Sequence, residues 1–324
     1  MDLHRPSGRR RLGLAYASIT MLLWGVLPLA LREMLLSLDP TTLTAFRFAV
    51  SAAALGAVLA MRGALPVRAQ LTRQTGVLLG VATLGLAANY IAFLLGLART
   101  SPANAQVLIQ LGPLLLALGG IVVFRERFST SQWIGTALLA LGLGLFFRSQ
   151  LAAMGREPER YLAGVAWIGF AAATWAIYGL AQKQLLHGIS SQAVMLCIFV
   201  GCALVFIPTA NPRALLALTP LAWGVLAFCT VNTLIAYGAF AAALEHEEAS
   251  RVSAVIAITP LATVAFSALA STLFPHHFVA EHLGIASWIG AGVVVVGSLL
   301  TALGRREIAE IASVPVEPVA LRSE

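Results

Sequence analysis

The chain has 324 residues, of which 59% are hydrophobic and only 11% charged, and its mean hydropathy is +0.87. In a soluble domain about 25% of the residues are charged, and a chain with less than half of that fraction could not cover its surface with polar groups. The composition therefore predicts a protein embedded in lipid. The formal charge of +7 does not indicate a nucleic-acid partner, because the arginines stand at the ends of apolar runs and form no single stripe.

Ten apolar segments follow one another along the chain, each close to the ~20 residues that a helix needs to cross a bilayer core of ~30 Å. Spanning segments must be helices or a closed barrel, and these runs lack the alternation of barrel strands. The predicted segments are 12–31, 41–61, 76–97, 102–124, 131–147, 161–182, 190–208, 221–244, 250–273 and 283–303. The first is too long for the apolar region of a signal peptide, which predicts a spanning helix.

Basic residues in the links orient these segments. With the N-terminus inside, twelve Lys and Arg residues lie on the cytoplasmic side and six on the outer side. The positive-inside rule therefore predicts both termini in the cytoplasm. The expected location is a bacterial inner (plasma) membrane. Residues 1–11 form the predicted cytoplasmic N-terminal tail, and the polar stretch 304–324 is predicted to be a disordered cytoplasmic tail.

The second half of the chain repeats the first half in order. The matches are Trp133-Ile134-Gly135 with Trp288-Ile289-Gly290 and Gly142 with Gly297 (offset 155), Pro113 with Pro260 and Tyr90 with Tyr237 (offset 147), and Trp24 with Trp175 (offset 151). A repeat of five spans enters the membrane from the opposite side in its second copy. The sequence thus predicts an all-α membrane protein of ten transmembrane helices, arranged as two inverted five-helix repeats around a central cavity. The predicted repeats are 12–147 and 161–303, joined by a linker over 148–160.

The stretches Leu111–Leu116, Phe124–Ser129 and Trp133–Gly135 resemble the core of the EamA family in the drug/metabolite transporter superfamily, and the second half repeats them around Pro260 and Trp288. The resemblance covers about residues 12–303. It implies ten helices around a central cavity and the movement of small polar metabolites, often amino acids or drugs.

The link between the ninth and tenth segments departs from that pattern, since it is longer and carries His276 and His277. Together with Glu281 and His282 these histidines match no metal motif, and we predict a surface loop without a metal site.

Polar side chains at membrane depth are the candidates for solute binding, because they are costly unless they face a cavity. Gln106, Gln110 and Pro113 share one helix face, as do Trp175, Tyr178 and Gln182. The full candidate set is Trp24, Arg47, Asn89, Tyr90, Gln106, Gln110, Trp175, Tyr178, Gln182, Asn232 and Tyr237. The alternative is that the amides hold helices together at ~0.6 kcal/mol each.

Two candidates allow a second interpretation. Trp24 and Trp175 are equivalent in the repeat, so they either face each other across the cavity or pack as ordinary core residues. Arg47 lies about six residues inside the second segment. Its guanidinium either contacts an anion such as a substrate carboxylate or reaches outward toward Asp39 or Glu33.

Prolines and acids bear on the mechanism. Pro113 and Pro260 interrupt the helical backbone hydrogen bonds at equivalent places in the two repeats. They either act as hinges for alternating access or form static kinks. The middle of each segment lacks Asp and Glu. This predicts exchange or uniport, or proton coupling through Glu126 and Glu281, which otherwise serve only to favour a helix start.

Taken together, these features predict a secondary transporter that exports a small polar metabolite, an amino acid, a related compound or a drug-like molecule, across the inner membrane. The alternative is a membrane-embedded sensor or enzyme, but the sequence contains no HExxH or GxSxG motif and implies no cofactor. Its expected partners are the small-molecule solute and the lipid bilayer. The glycines of segments 5 and 10 are predicted to pack within one chain, and a homodimer contact through them is the alternative.

Overall fold

The computed structural model describes residues 7, 9–65, 72–124, 129–153, 158–247, 249–273 and 284–303, and these residues form helices and turns without a strand. In this part of the chain the helices are α1 Arg10–Met34, α2 Pro40–Met61, α3 Arg73–Leu97, α4 Pro102–Leu108, α5 Leu111–Phe124, α6 Thr130–Ala153, α7 Pro158–Leu185, α8 Ser191–Phe206, α9 Pro220–His246, α10 Ala249–Ile256, α11 Thr259–Leu273 and α12 Ile285–Leu303. Two short 3₁₀ turns, Ile207–Thr209 and Pro212–Ala217, connect α8 to α9.

Eight helical stretches in the described chain are long and apolar enough to cross a membrane, and two shorter apolar helices, Thr259–Leu273 and Ile285–Thr301, follow them. The eight are Arg10–Met34, Pro40–Met61, Arg73–Leu97, Pro102–Gly120, Thr130–Ser149, Pro158–Leu185, Ser191–Thr209 and Pro220–His246. The protein is thus an all-helical, multi-pass membrane protein, as its composition predicts. The greater part of both predicted terminal tails lies outside the described residues.

Local sequence sets where several helices begin. Asp39, Ser101 and Thr219 each accept a backbone hydrogen bond at the start of α2, α4 and α9, and a proline follows each of them at the first helical position. A side-chain oxygen at the cap satisfies an N–H that the helix cannot, and proline has no N–H to satisfy there. These caps fix where the three helices begin.

The two ends of the bundle are distinguished by Arg10 and Asp39. At the Arg10 end the start of α1 meets the end of α9, where Gly13 packs against Glu247. At the Asp39 end, Thr42 Oγ1 accepts a hydrogen bond from the Asn211 N–H at 2.8 Å. The principal helix pairs are α1 with α9, α3 with α7, α2 with α8 and α6 with α12.

Glycines bring α6 and α12 into backbone contact. Gly135 lies against Gly297 and Gly142 against Gly290, so the two helices cross antiparallel. A Cβ atom on Gly142 would lie 2.6 Å from the Val294 nitrogen and 2.9 Å from the Gly290 oxygen. Small residues of this kind allow membrane helices to approach closely where larger ones would hold them apart.

Two predicted segments are each divided into a pair of helices. The fourth breaks at Ile109–Gln110, between α4 and α5, and the ninth breaks at Ala257–Ile258, between α10 and α11. Pro113 is the third residue of α5 and Pro260 the second of α11. A proline removes one backbone donor and crowds the carbonyl four residues earlier, which places each break just before its proline.

The glycine contact predicts different effects for two neighbouring substitutions. Gly142→Ala should lower the stability of the protein by about 1–3 kcal/mol, because its Cβ overlaps the backbone of α12. Gly144→Ala is the matched control, since a Cβ there meets nothing within 4 Å, and its higher helix propensity should leave stability equal or slightly raised. Thermal unfolding in detergent measures both. Equal melting temperatures for the two variants would contradict the packing described.

Candidate functional site

A cavity of about 730 Å³, its opening included, lies between the middle of the bundle and the Asp39 end. It is lined by the second half of α1 and of α3, the first half of α2, the two broken helices, and one residue each from α7 and α9. The lining residues are Trp24, Leu27, Pro28, Leu31, Arg47, Asn89, Tyr90, Phe93, Leu94, Gln106, Ile109, Gln110, Pro113, Trp175, Tyr237, Ile256 and Thr259.

The cavity brings together eight of the eleven residues that the sequence singles out for solute binding. They are Trp24, Arg47, Asn89, Tyr90, Gln106, Gln110, Trp175 and Tyr237, and the candidate hinge Pro113 joins them. Pro260 follows the lining residue Thr259 directly.

Aromatic side chains form the side of the cavity that faces the Arg10 end. Trp24 and Trp175 do not face each other across the space, because their rings are in contact, with centroids 6.1 Å apart and planes at 77°. The Trp24 ring also lies 5.2 Å from Tyr237, and Trp175 lies 5.5 Å from Phe240. The two tryptophans therefore belong to one aromatic floor and do not form opposite walls.

Arg47 is only 1% exposed and turns inward. Its Nε donates to Thr233 Oγ1 at 2.9 Å and to the Cys229 carbonyl at 3.3 Å, both on α9. Its Cζ lies 5.0 Å from the centre of the Tyr90 ring. The interpretation that Arg47 reaches outward is wrong.

The acid predicted as an outward partner of Arg47 has another role. Asp39 caps α2 by accepting hydrogen bonds from the N–H groups of Thr41 and Thr42. Partial burial raises the pKa of Asp39, but the hydrogen bonds from Thr41 and Thr42 outweigh burial and hold it below its usual value. The carboxylate of Asp39 is thus engaged at the start of α2 and not with Arg47.

The Arg47 guanidinium is incompletely satisfied. Both of its hydrogen bonds start at Nε, and Nη2 is buried without a partner among the described residues. A charged side chain at the centre of a membrane helix costs about 2.5–3.5 kcal/mol on insertion scales. Two neutral acceptors and one ring compensate this cost only in part.

Two amides of the cavity also connect helices. Asn89 Nδ2 on α3 donates to the Ala171 carbonyl of α7 at 2.9 Å. Gln106 Nε2 on α4 donates at 2.6 Å to the Trp24 carbonyl of α1. Pro28, four residues after Trp24, has no N–H to offer that carbonyl, so Gln106 replaces the missing backbone donor.

Gln110 presents an unused acceptor. It stands at the break between α4 and α5, is 2% exposed, and its Oε1 is buried without a hydrogen-bond partner. A buried polar atom without a partner costs about 1–3 kcal/mol. Gln110 and Arg47 therefore leave one acceptor and one donor unsatisfied in the lining of the same cavity.

Three predicted site residues lie outside the cavity and connect helices instead. Tyr178 Oη and Gln182 Nε2 both contact the sulfur of Met195 on α8, at 3.7 and 3.2 Å. Asn232 Nδ2 donates to the Leu23 carbonyl at 2.8 Å. Helical spacing placed Tyr178 and Gln182 on one face with Trp175, but that face turns from the cavity toward α8 as α7 continues.

Much of the lining is apolar and was missed by a search for polar residues. The missed apolar residues are Leu27, Pro28, Leu31, Phe93, Leu94, Ile109 and Ile256, and the polar Thr259 was missed as well. Ile109 and Ile256 are equivalent at the offset of 147 and precede the two equivalent prolines. The repeat could therefore have identified this pair as lining residues.

Acidic residues in the described chain lie away from the cavity lining. Glu247, at the Arg10 end, lies 3.0 Å from Arg251 and 3.9 Å from Arg10. The proton-coupling candidates Glu126 and Glu281, and the histidines 276, 277 and 282, lie outside the described residues. Within the described ranges no group of His, Cys, Asp and Glu could hold a metal ion.

The Gln106 contact predicts a rescue. Gln106→Leu should lower stability by about 1–3 kcal/mol, because the Trp24 carbonyl loses its donor. Adding Pro28→Ala supplies a backbone N–H at the right place and should recover most of that loss in thermal unfolding. The control is Gln106→Leu with Pro40→Ala, since Pro40 opens α2 and frees no carbonyl of its own helix. The same loss in both double variants would contradict the assignment.

Comparisons with known proteins agree with this architecture. The sequence matches the EamA-like transporter family twice, over residues 11–148 and 162–303. It is 37% identical over 295 residues to an "Uncharacterized transporter" of Haemophilus influenzae, covering 91% of this chain and 96% of that protein. It is 35% identical over 296 residues to the "Uncharacterized inner membrane transporter YhbE" of Escherichia coli K12, covering 91% and 92%.

A solved crystal structure has the same fold. It matches with a TM-score of 0.65 at 19% sequence identity, over 92% of this chain and all of that one. The two family matches span both halves of the chain, and the relatives align over nearly their full lengths. The chain belongs to the EamA-like transporter family.

Proposed function

We propose that the protein is a secondary transporter that moves a small polar metabolite by alternating access, as an exporter. The observation that carries this proposal is the cavity, which is lined at both helix breaks, by Ile109, Gln110 and Pro113 from one half and Ile256 and Thr259 from the other. Broken helices that meet at a central site are characteristic of transporters built from repeats. A membrane sensor or enzyme remains the alternative function.

Equivalent contacts support two inverted repeats. Asn89 on α3 donates to the Ala171 carbonyl of α7. At offsets of 147 and 151, the counterparts of these residues are Ala236 and Thr20, and Thr20 Oγ1 donates to the Ala236 carbonyl at 3.2 Å. The same point of contact thus recurs with donor and acceptor exchanged.

The glycine helices support the inversion independently. α6 and α12 are equivalent in the repeat, and they cross antiparallel through Gly135, Gly142, Gly290 and Gly297. Equivalent helices that run in opposite directions are what an inverted five-helix repeat requires. We therefore propose ten spanning helices, with each of the two broken pairs counted as one.

Contacts at the Arg10 end support a closed state on that side. Glu247, only 4% exposed, contacts Arg251 of α10 and Arg10 of α1. Tyr16 stacks on His246 with ring centroids 6.1 Å apart. In our proposal this cluster closes one entrance while the cavity serves the other, and its separation opens the opposite path.

The excess of basic residues supports placing the Arg10 end in the cytoplasm, with both termini there. We propose an inner-membrane location, since the relative from Escherichia coli is named an inner membrane transporter. Because the described lining contains no carboxylate, we propose exchange or uniport across this membrane.

We also propose that the helix breaks act as hinges at Pro113 and Pro260. In proteoliposomes, saturable counterflow of at least one labelled amino acid, organic acid or amine is expected for the unaltered protein. Pro113→Ala should slow that counterflow several-fold, because a restored N–H favours a continuous helix. Pro102→Ala is the control, since Pro102 stands at the first position of α4 and interrupts nothing.

The two outcomes are separable. No saturable counterflow across the whole panel would contradict the transport proposal and favour a sensor or enzyme. Unchanged counterflow in Pro113→Ala would contradict the hinge alone.

The closed end yields another expectation. Glu247→Gln removes the charge that holds Arg10 and Arg251, so the Arg10 end should open more often. In a background without the native cysteines, a cysteine in place of Leu244, which is 4% exposed, should react several-fold faster with a maleimide. Glu33→Gln, an acid at the opposite end of α1, is the control. An unchanged reaction rate for Glu247→Gln would contradict closure by this cluster.

A further inference from the structure

We infer that Arg47 is the carboxylate receptor of the cavity, and that the solute is a small organic acid with an apolar body and a hydrogen-bond donor. This inference rests on the proposed function, because it names the class of solute that the same cavity takes. Three observations carry it: the unpaired Nη2 of Arg47, the unpaired Oε1 of Gln110, and the apolar character of the remaining lining.

A contribution to folding stability does not explain why an arginine is present at position 47. A guanidinium in a protein stays charged, and this one is 1% exposed among the helices of a membrane protein. The described lining of the cavity holds no carboxylate to balance it. Its two hydrogen bonds, to Thr233 and Cys229, leave the outer part of the fork unused. A group retained at such cost is typical of a functional site.

The positive charge of Arg47 determines which charge a bound group carries. In a cavity of low dielectric, one positive charge without a counterion attracts an anion and repels a cation. The guanidinium presents a planar fork of donors that matches a carboxylate in geometry. A carboxylate at this wall would give Nη2 the acceptor that it lacks.

Gln110 adds a requirement for a donor. Its Oε1 is a buried acceptor on the broken helix, and it lines the same cavity as Arg47. A hydroxyl or ammonium group beside the carboxylate would satisfy it, as in hydroxy acids and amino acids. Arg47 and Gln110 thus define two polar contacts of opposite kind.

The rest of the lining accepts an apolar body. The rings of Trp24, Trp175 and Tyr237 and the side chains of Leu27 and Ile256 border the remaining space. The volume of about 730 Å³ includes the opening, and the enclosed part is smaller. The cavity therefore suits a small solute, as pockets for small molecules are mostly apolar with a few polar groups.

Binding of matched carboxylates and amides tests the inference on the purified full-length protein in detergent. The probes are 4-methylpentanoate with 4-methylpentanamide, L-leucine with L-leucinamide, and 3-phenylpropionate with 3-phenylpropionamide. We expect at least one carboxylate to bind about 10- to 100-fold tighter than its amide, the range that a hydrogen bond to a charged group supplies. Thermal shift over a titration gives the dissociation constants.

The key variant is Arg47→Met, because the methionine side chain is long and flexible like that of arginine but carries no charge. It should abolish the preference for the carboxylate. Without ligand it should melt at the same or a higher temperature, because a buried charge without a counterion is removed. Arg213→Gln is the matched control, since Arg213 is exposed in the turn before α9, and it should keep the preference. A purely structural Arg47 would instead give a lower melting temperature in Arg47→Met.

Gln110→Leu separates the second contact. This substitution should weaken the binding of L-leucine more than the binding of 4-methylpentanoate, since only the amino acid carries a hydrogen-bond donor beside the carboxylate. Equal binding of carboxylates and amides, survival of the preference in Arg47→Met, or the absence of a carboxylate-dependent shift in every pair would each overturn the inference. Counterflow only of solutes that lack a carboxylate would overturn it and leave the transport proposal standing.

Discussion

In a membrane interior without water, each backbone carbonyl that loses its helical partner needs another donor. Three prolines near the cavity, Pro28, Pro113 and Pro260, create this need. Each leaves the carbonyl four positions earlier without its helical donor, and these carbonyls belong to Trp24, Ile109 and Ile256. The donors are Gln106 Nε2, the Gly112 N–H and Thr259 Oγ1, at 2.6, 2.8 and 2.6 Å. The donors Gln106 and Thr259, and the three residues whose carbonyls need a donor, all line the cavity. The same breaks give the two halves of the chain irregular backbone at the place where they meet.

This constraint explains why solute candidates and helix contacts are the same residues. Gln106 faces the cavity and also replaces a missing backbone donor, while Asn89 faces it and connects α3 to α7. A solute that bound these amides strongly would compete with contacts that hold α1 and α7. Arg47 and Gln110 have capacity to spare, since each keeps one buried polar atom without a partner. The Tyr90 hydroxyl, also in the lining, is likewise buried without a hydrogen-bond partner. In our proposal, groups of this kind can bind a solute without loosening the bundle.

Much of the architecture could be predicted from the sequence, because hydropathy and the repeat act over whole segments. The cavity could be anticipated from the equivalence of Pro113 with Pro260 and of Tyr90 with Tyr237. Side-chain direction at the ends of those segments could not. Gln182 shares a helix face with Trp175, but its side chain contacts Met195 on α8 and not the cavity. This difference depends on where α7 crosses α8, which the sequence pattern does not specify. The inward turn of Arg47 likewise depends on acceptors of α9 that lie 182 and 186 positions away.

Arg47 also breaks the symmetry of the scaffold. At an offset of 147 or 151 its counterpart in the second half is Val194 or Ile198, both fully buried and apolar. The aromatic floor and the helix breaks recur in both halves, but the charge belongs to α2 alone. A solute between two nearly equivalent halves would otherwise have two similar orientations. Because the charge is on one side, the proposed solute would direct its anionic group toward α2 and its apolar body toward the aromatic floor. In the proposed transporter the repeat supplies the means of opening either side, and this departure from it orients the solute.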